Sequence, residues 1–175
     1  METALILLLG ILITIQASES AKCKECEKCR PPATGKNLAP EGKAQQSSTH
    51  TKFRWATANL AIDGNIDTDA RRLSCSITSM QKDPWWQLNL WRMIKIKAIV
   101  FYGRTNCCEN SYIGAQIRVG LDIPGHESLV IQRFKDFTPH GRIAICVRAV
   151  WANYIRIEII GRRDRLSVCE VEIYG

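Results

Sequence analysis

A chain of 175 residues has room for one domain of ordinary size once any processed segment is removed. Its formal net charge of +7 would suit an anionic glycan, a sulfated polysaccharide or a lipid headgroup, and equally a plain solubilising surface. No basic run is interleaved with aromatics, which excludes a nucleic-acid binder, and no catalytic constellation points to an enzyme.

The opening stretch, METALILLLGILITIQASES, holds an apolar run from Ala4 to Ile15. That length fits the core of a secretory signal and falls short of a bilayer span. Ala17, Ser18 and Ser20 offer cleavage points, whereas no Lys or Arg precedes the run; an uncleaved anchor is the alternative. Removing a signal peptide at 1–20 takes away Glu2 and Glu19, so the charge rises from +7 to +9. No later apolar stretch is long enough for a transmembrane helix. In a secreted, extracellular chain the eight cysteines are disulfide candidates rather than metal ligands or catalytic thiols. Residues 21–36, AKCKECEKCRPPATGK, read as a polar, Cys-rich tail ended by Pro31 and Pro32. Zinc on Cys23, Cys26 and Cys29 is the alternative that an oxidising compartment disfavours.

From Asn37 onward the pattern is that of strands. Trp86, Leu88 and Leu90 share one face against Gln87 and Asn89, and Ile94, Ile96, Ala98 and Val100 alternate with Lys95 and Lys97. The same period of two runs through Ala115, Ile117 and Val119, then Ile155, Ile157 and Ile159, then Cys169, Val171 and Ile173. Such alternation predicts antiparallel strands with one buried face, joined by long polar loops. The expected fold is all-β, a sandwich or jelly roll over 37–175.

Two segments carry chemistry. AIDGNIDTD clusters Asp63, Asn65 and Asp67 around Gly64, the hard oxygens Ca²⁺ takes, although the same residues make ordinary turns. Cys107 and Cys108 are adjacent, about 3.8 Å apart at Cα, below the roughly 4.4–6.8 Å usual for a disulfide. A bond between them would close a small ring and present a rigid apolar plate at a loop tip; two free or separately paired thiols are the alternative.

The pieces NLAPEGKAQQSST, AIDGNIDTD, SCSIT, PWWQLNL, GRTNCC, GAQIRVG and VCEVEIYG, in that order, resemble the F-type lectins, the fucolectins of fish and other animals. The resemblance covers 37–175. It implies an eight-stranded jelly-roll β-sandwich akin to the discoidin domains, a structural Ca²⁺ and recognition of terminal L-fucose on glycans. The positions matching the family's calcium ligands are the Leu60 carbonyl, Asp63, Asn65, Ser74, the Cys169 carbonyl and Glu170. A bond between Cys75 and Cys169, also implied by the family, would contribute about 4–5 kcal/mol on the chain-entropy account.

The sugar site matches only in part. In the family a His, two Arg and an Asp beside the paired cysteines bind fucose. The matching residues are Ile77 for the His, Arg104 for the first Arg, Asn106 for the Asp and Ser111 for the second Arg; Cys107 and Cys108 would pack on the ring. Ile77 neither donates nor accepts, and Ser111 is too short to reach where an Arg would. Charged hydrogen bonds contribute roughly 1.5–3 kcal/mol each, so losing two predicts fucose binding weaker by at least about a hundredfold.

The expectation is therefore a secreted, calcium-binding lectin-like domain with altered or weakened fucose affinity. A non-lectin module that binds anionic glycans or a protein partner through basic loops is the alternative. A third reading is a structural homo-oligomer cross-linked through the tail. Cys146 lies on an expected strand, and Ser128 stands where the family would place its mate. Arg162, Arg163 and Arg165 read as a solvated cluster, and His50, His126 and His140 have no catalytic partner in the pattern.

Overall fold

The computed structural model describes residues 35–122, 128–135 and 141–175. The expected signal peptide, nearly all of the Cys-rich tail with Cys23, Cys26 and Cys29, and His126 and His140 lie outside the described residues.

Nine strands follow one another: β1 (Lys43–Gln46), β2 (Ser76–Ile77), β3 (Gln81–Lys82), β4 (Trp85–Gly103), β5 (Gln116–Gly120), β6 (Leu129–Arg133), β7 (Arg142–Glu158), β8 (Arg163–Asp164) and β9 (Ser167–Tyr174), counted among the described residues. The helical elements among the described residues are short 3₁₀ turns, so the all-β expectation is met. The main sheet runs β2-β9-β4-β7-β5-β6 with β1 also on β4, and β3 and β8 form a separate ribbon.

The two long strands explain how one ladder makes a sandwich. β4 and β7 pair antiparallel through register breaks between Asn89 and Ile94 and between Ile96 and Ala98. Bulges of this kind bend a strand and raise its twist, letting it pass from one layer to the other. Before the breaks β4 carries β1, and the matching half of β7 carries β5; after them β4 pairs with β9. The jelly roll is thus built with two shared strands plus a side ribbon.

The predicted faces point inward. Trp86, Leu88, Ile117, Ile155, Ile157 and Ile173 are fully buried in one core. The Trp86 indole N–H donates to the Ala58 carbonyl at 3.0 Å, so its polar atom is satisfied in the interior.

Beyond Ala98 the alternation of β4 gives way, and Ile99, Val100 and Phe101 are all buried. Ile99 and Phe101 enter the main core, while Val100 and Tyr102 face the other way into a smaller cluster with Ala56, Ala70, Cys75, Ile77 and Cys169. A strand apolar on both faces must be covered on both. The loop between β1 and β2 supplies that second cover, which lays residues 53–75 over the end of β4 and β9.

Candidate functional site

The covering loop is held by its own side chains. Asp63 accepts from the Asn65 amide at 2.9 Å, Asn65 from the Asp67 amide at 3.1 Å, and Asp67 from the Asp69 amide at 2.9 Å. These successive Asx turns coil the segment tightly. Gly64 sits in the left-handed region at φ +85°, a conformation most side chains resist.

Beneath the loop lies Glu170. Tyr102 pairs with Glu170 and Gly103 with Val168, so Cys169 is the extra residue of a bulge in β9. Cys169 is bonded to Cys75, which anchors the bulge to the end of the covering loop. Glu170 is fully buried; its Oε1 accepts from the Gly64 amide at 3.2 Å, while Oε2 has no hydrogen-bond partner among the described residues. Burial, with the Asp63 carboxylate next in size, pushes the Glu170 carboxyl up to about 8, and the Gly64 amide offsets part of this.

A buried acid with an unpartnered oxygen beside a second acid is an arrangement that a cation would relieve. Ser74, buried just before Cys75, donates its hydroxyl to the Asp69 carbonyl at 3.1 Å and keeps its lone pairs. Leu60 lies in the 3₁₀ turn Ala58–Ala61 that opens the loop. No group of three or more His, Cys, Asp or Glu side chains gathers among the described residues. The residues matched to calcium ligands would instead offer two carboxylates with amide, hydroxyl and carbonyl oxygens, hard-ligand chemistry of the kind Ca²⁺ takes.

The two ends of the same loop help to wall a cavity of about 330 Å³. Phe53, Trp55, Ala70 and Leu73 form its apolar sides with Ile77, and Arg71 and Arg104 supply the charge. Ile77, 1% exposed, is fixed by its backbone: its N–H donates to Ala56 and its carbonyl accepts from His50. Asp69 takes Arg71 in a two-pronged pair, Nε to Oδ1 at 2.9 Å and Nη2 to Oδ2 at 2.6 Å. That guanidinium holds the Asp69 carboxyl down at about 2.

Arg104 is positioned from two sides. Its Nε donates to Asn106 Oδ1 at 2.6 Å, and its backbone N–H donates to the Tyr112 hydroxyl at 2.8 Å. Tyr112 in turn donates to the Ser167 carbonyl. Thr105 donates its amide to the Thr68 carbonyl at 3.1 Å, and the two threonine hydroxyls meet at 2.8 Å, stitching this loop to the acidic one. Tyr112→Phe leaves the Arg104 amide and the Ser167 carbonyl without this partner, which should lower stability by about 1–3 kcal/mol in urea titration. It should also loosen Arg104; an unchanged midpoint would show that the hydroxyl contributes nothing.

Cys107 and Cys108 are bonded to one another, with Cys108 at φ +65°, which sets aside the reading of two separate thiols. Of the predicted sugar-site residues, Ile77 and Arg104 line the cavity and Asn106 holds Arg104; Cys107, Cys108 and Ser111 are not in its walls. Ser111 is tied down by its backbone, its amide donating to Cys108 and its carbonyl accepting from Arg162. Arg162 also donates to the Ile113 carbonyl and pairs with Asp164 at 3.0 Å. It is therefore a clasp on the Ser111 loop rather than the solvated charge its sequence setting suggests. A larger recess of about 400 Å³ beside Leu38, Met93 and Trp151 contains none of the predicted site residues.

The match to known proteins follows the same segments. The family model described as a NedA-like, galactose-binding domain covers residues 60–157. Fucolectin-5 of Anguilla japonica is 31% identical over 146 residues, which cover 80% of this chain and 76% of that protein. The chain belongs to the fucolectin family.

A fucolectin from the serum of the striped bass, Morone saxatilis, superposes with a TM-score of 0.74 at 31% identity, over 81% of this chain and 48% of that one. The lectin domain of lectinolysin, solved with Lewis B antigen, gives 0.71 at 24% identity over 79% of this chain and 96% of that domain, a likeness of fold. The pentraxin fusion protein of Xenopus laevis is 24% identical over 165 residues, but the chain spans only 39% of its length. The fold is the F-type lectin β-sandwich that the motifs implied.

Phe53, Trp55 and Leu73 escaped the sequence reading, because isolated apolar residues in a polar loop show no period. Cys146 is also disulfide-bonded. Ser128 accepts from Arg118 at 2.7 Å. His50 accepts the Lys52 and Phe53 amides on Nδ1 and stacks on Phe53, so it supports the cavity wall.

Proposed function

We propose that this chain is a secreted, calcium-stabilised lectin domain that holds one terminal sugar in the cavity between Ile77 and Arg104, with fucose affinity weakened relative to its family. The observation that carries the reading is Arg104, set by Asn106 and Tyr112 at the edge of an apolar-walled cavity on a fucolectin scaffold. A volume near 330 Å³ is at the small end for ligand pockets and suits one sugar residue rather than an extended chain. Ring C–H groups would lie on Phe53, Trp55 and Ile77, while Arg104 would donate to a ring substituent.

Asp63, Asn65, Ser74 and Glu170 with the Leu60 and Cys169 carbonyls would hold the calcium ion, whose charge would balance the buried acid. The same loop continues into Ala70, Arg71 and Leu73 of the cavity wall, so an ordered acidic end supports an ordered sugar end. The apolar run near the N-terminus and the two disulfides among the described residues support an extracellular setting. No helix among the described residues is long and apolar enough to cross a membrane.

The test is a glycan array probed with the multimerised chain in calcium-containing buffer. Binding to terminal saccharides that Arg104→Gln removes is expected. Silence on every glycan, together with heparin retention indifferent to that substitution, would sink the lectin reading in favour of a basic interaction module.

A further inference from the structure

The cavity carries two guanidinium groups, and they are not equivalent. Arg71 is neutralised by Asp69 through the paired bonds described above. Arg104 has no carboxylate within ion-pair distance among the described residues; its side-chain partner is the neutral Asn106 carbonyl. The Arg104–Asn106 pair therefore keeps a full positive charge at the wall of a cavity whose other lining is apolar apart from the paired Arg71.

The surroundings add to that charge. Lys52 and Arg165 lie close enough that, after burial itself, they and Arg104 all press the His50 imidazole toward its neutral form. Nothing acidic in the cavity answers Arg104. The Asp67 carboxylate nearby is taken by Arg72 at 3.1 Å, as Asp69 is by Arg71.

A neutral hydroxyl satisfies a guanidinium's geometry but leaves its charge unmet. A carboxylate or sulfate meets both, and such charge-assisted, two-pronged bonds are about twice as strong as neutral ones. Apolar walls lower the local dielectric and widen that difference. If an Asp stood at position 106 the pair would be neutral, and a neutral sugar would suffice.

We propose that the cavity selects an acidic sugar, a terminal saccharide bearing a carboxylate or a sulfate ester, with Arg104 on the anion and Phe53, Trp55 and Ile77 on the C–H face. This rests on the reading of the domain as carbohydrate-binding, and deepens it. Either group supplies the same anionic chemistry, and the probes below separate them.

The experiment presents the full chain with polymer-linked N-acetylneuraminic acid, galactose 6-sulfate, galactose and L-fucose at about physiological salt, where long-range attraction is screened. Two variants, Asn106→Asp and Arg104→Gln, are measured beside it, each with its melting temperature. The expected result is at least tenfold preference for one or both acidic probes over galactose and fucose. Asn106→Asp should cut that preference about tenfold, and Arg104→Gln should abolish it, with melting temperatures unchanged. The Arg104 backbone bond to Tyr112 survives both substitutions, which is why folding should be spared.

Preference for the sialic acid probe alone would identify a carboxylate ligand, and for the sulfated probe alone a sulfate ligand; either supports the proposal. Neutral probes bound as well as acidic ones would overturn it while leaving the lectin reading intact. Acidic binding that persists in Arg104→Gln would overturn it by locating the anion elsewhere on the basic surface. Failure to bind any of the four probes would overturn it as well, and an accompanying blank on the wider glycan array would take the lectin reading with it.

Discussion

L-Fucose should bind the triple variant Ile77→His, Asn106→Asp, Ser111→Arg at least about a hundredfold more tightly than the unmodified chain, as read by calorimetric titration. The estimate follows from two regained charged donors at roughly 1.5–3 kcal/mol each and about 1.4 kcal/mol per tenfold in affinity. The scaffold favours the result. Ile77 is locked by backbone bonds to Ala56 and His50, so an imidazole there would enter the cavity from a fixed base. Asn106 already holds Arg104 Nε at 2.6 Å, and a carboxylate of the same length would keep that geometry and add charge. Ser111 is anchored through its carbonyl by Arg162, so a longer side chain would leave from a fixed backbone. If the unmodified chain binds fucose as tightly as the triple variant, the missing donors are not what limits this cavity.

Calcium at about a hundred times its dissociation constant should stabilise the domain by about 2.7 kcal/mol, which is about 5–10 °C in melting temperature for a domain of this size. The increment should grow with pH. Without metal, burial and Asp63 raise the Glu170 carboxyl from 4.5 to about 8, so the fold favours its protonated form. That contribution is fully present below the unfolded value and is lost as pH rises through the folded one. Metal binding needs the ionised carboxylate, so calcium should help more at pH 8 than at pH 6. Glu170→Gln, which imitates the protonated acid, should abolish the calcium response. In chelator at pH 8 it should melt no lower than the unmodified chain. A melting curve indifferent to calcium, or a Glu170→Gln variant that still responds, would remove the ion from this account.

Much of the fold is legible in the sequence. Period-two alternation marked Trp86 to Leu90, Ile117 to Val119 and Ile155 to Ile159 as strands with one buried face, and those faces are buried. The pattern did not foretell that β4 and β7 would serve both layers, because a bulge is a one-residue slip that leaves little trace in composition. Glu170 shows the same limit. Alternation alone puts it on the solvent face of β9 opposite Cys169, yet it is fully buried, because the loop from Asp63 to Ser74 folds over that face.

The candidate sites divide along the same line. Residue chemistry by itself determined that the acidic loop offers hard oxygens, that Ile77 cannot hydrogen-bond a sugar, and that Cys107 and Cys108 could bond only as neighbours or with distant mates. It also determined the family, because ordered motifs survive where single residues change. Tertiary structure alone decided that Phe53, Trp55 and Leu73 wall the cavity, that Arg162 clasps the Ser111 loop, and that among the described residues Arg104 faces no carboxylate while Arg71 does. The physical reason is covering: periodicity says which face of a strand is apolar, but only the folded chain says which distant segment lies over it and which charges that segment brings.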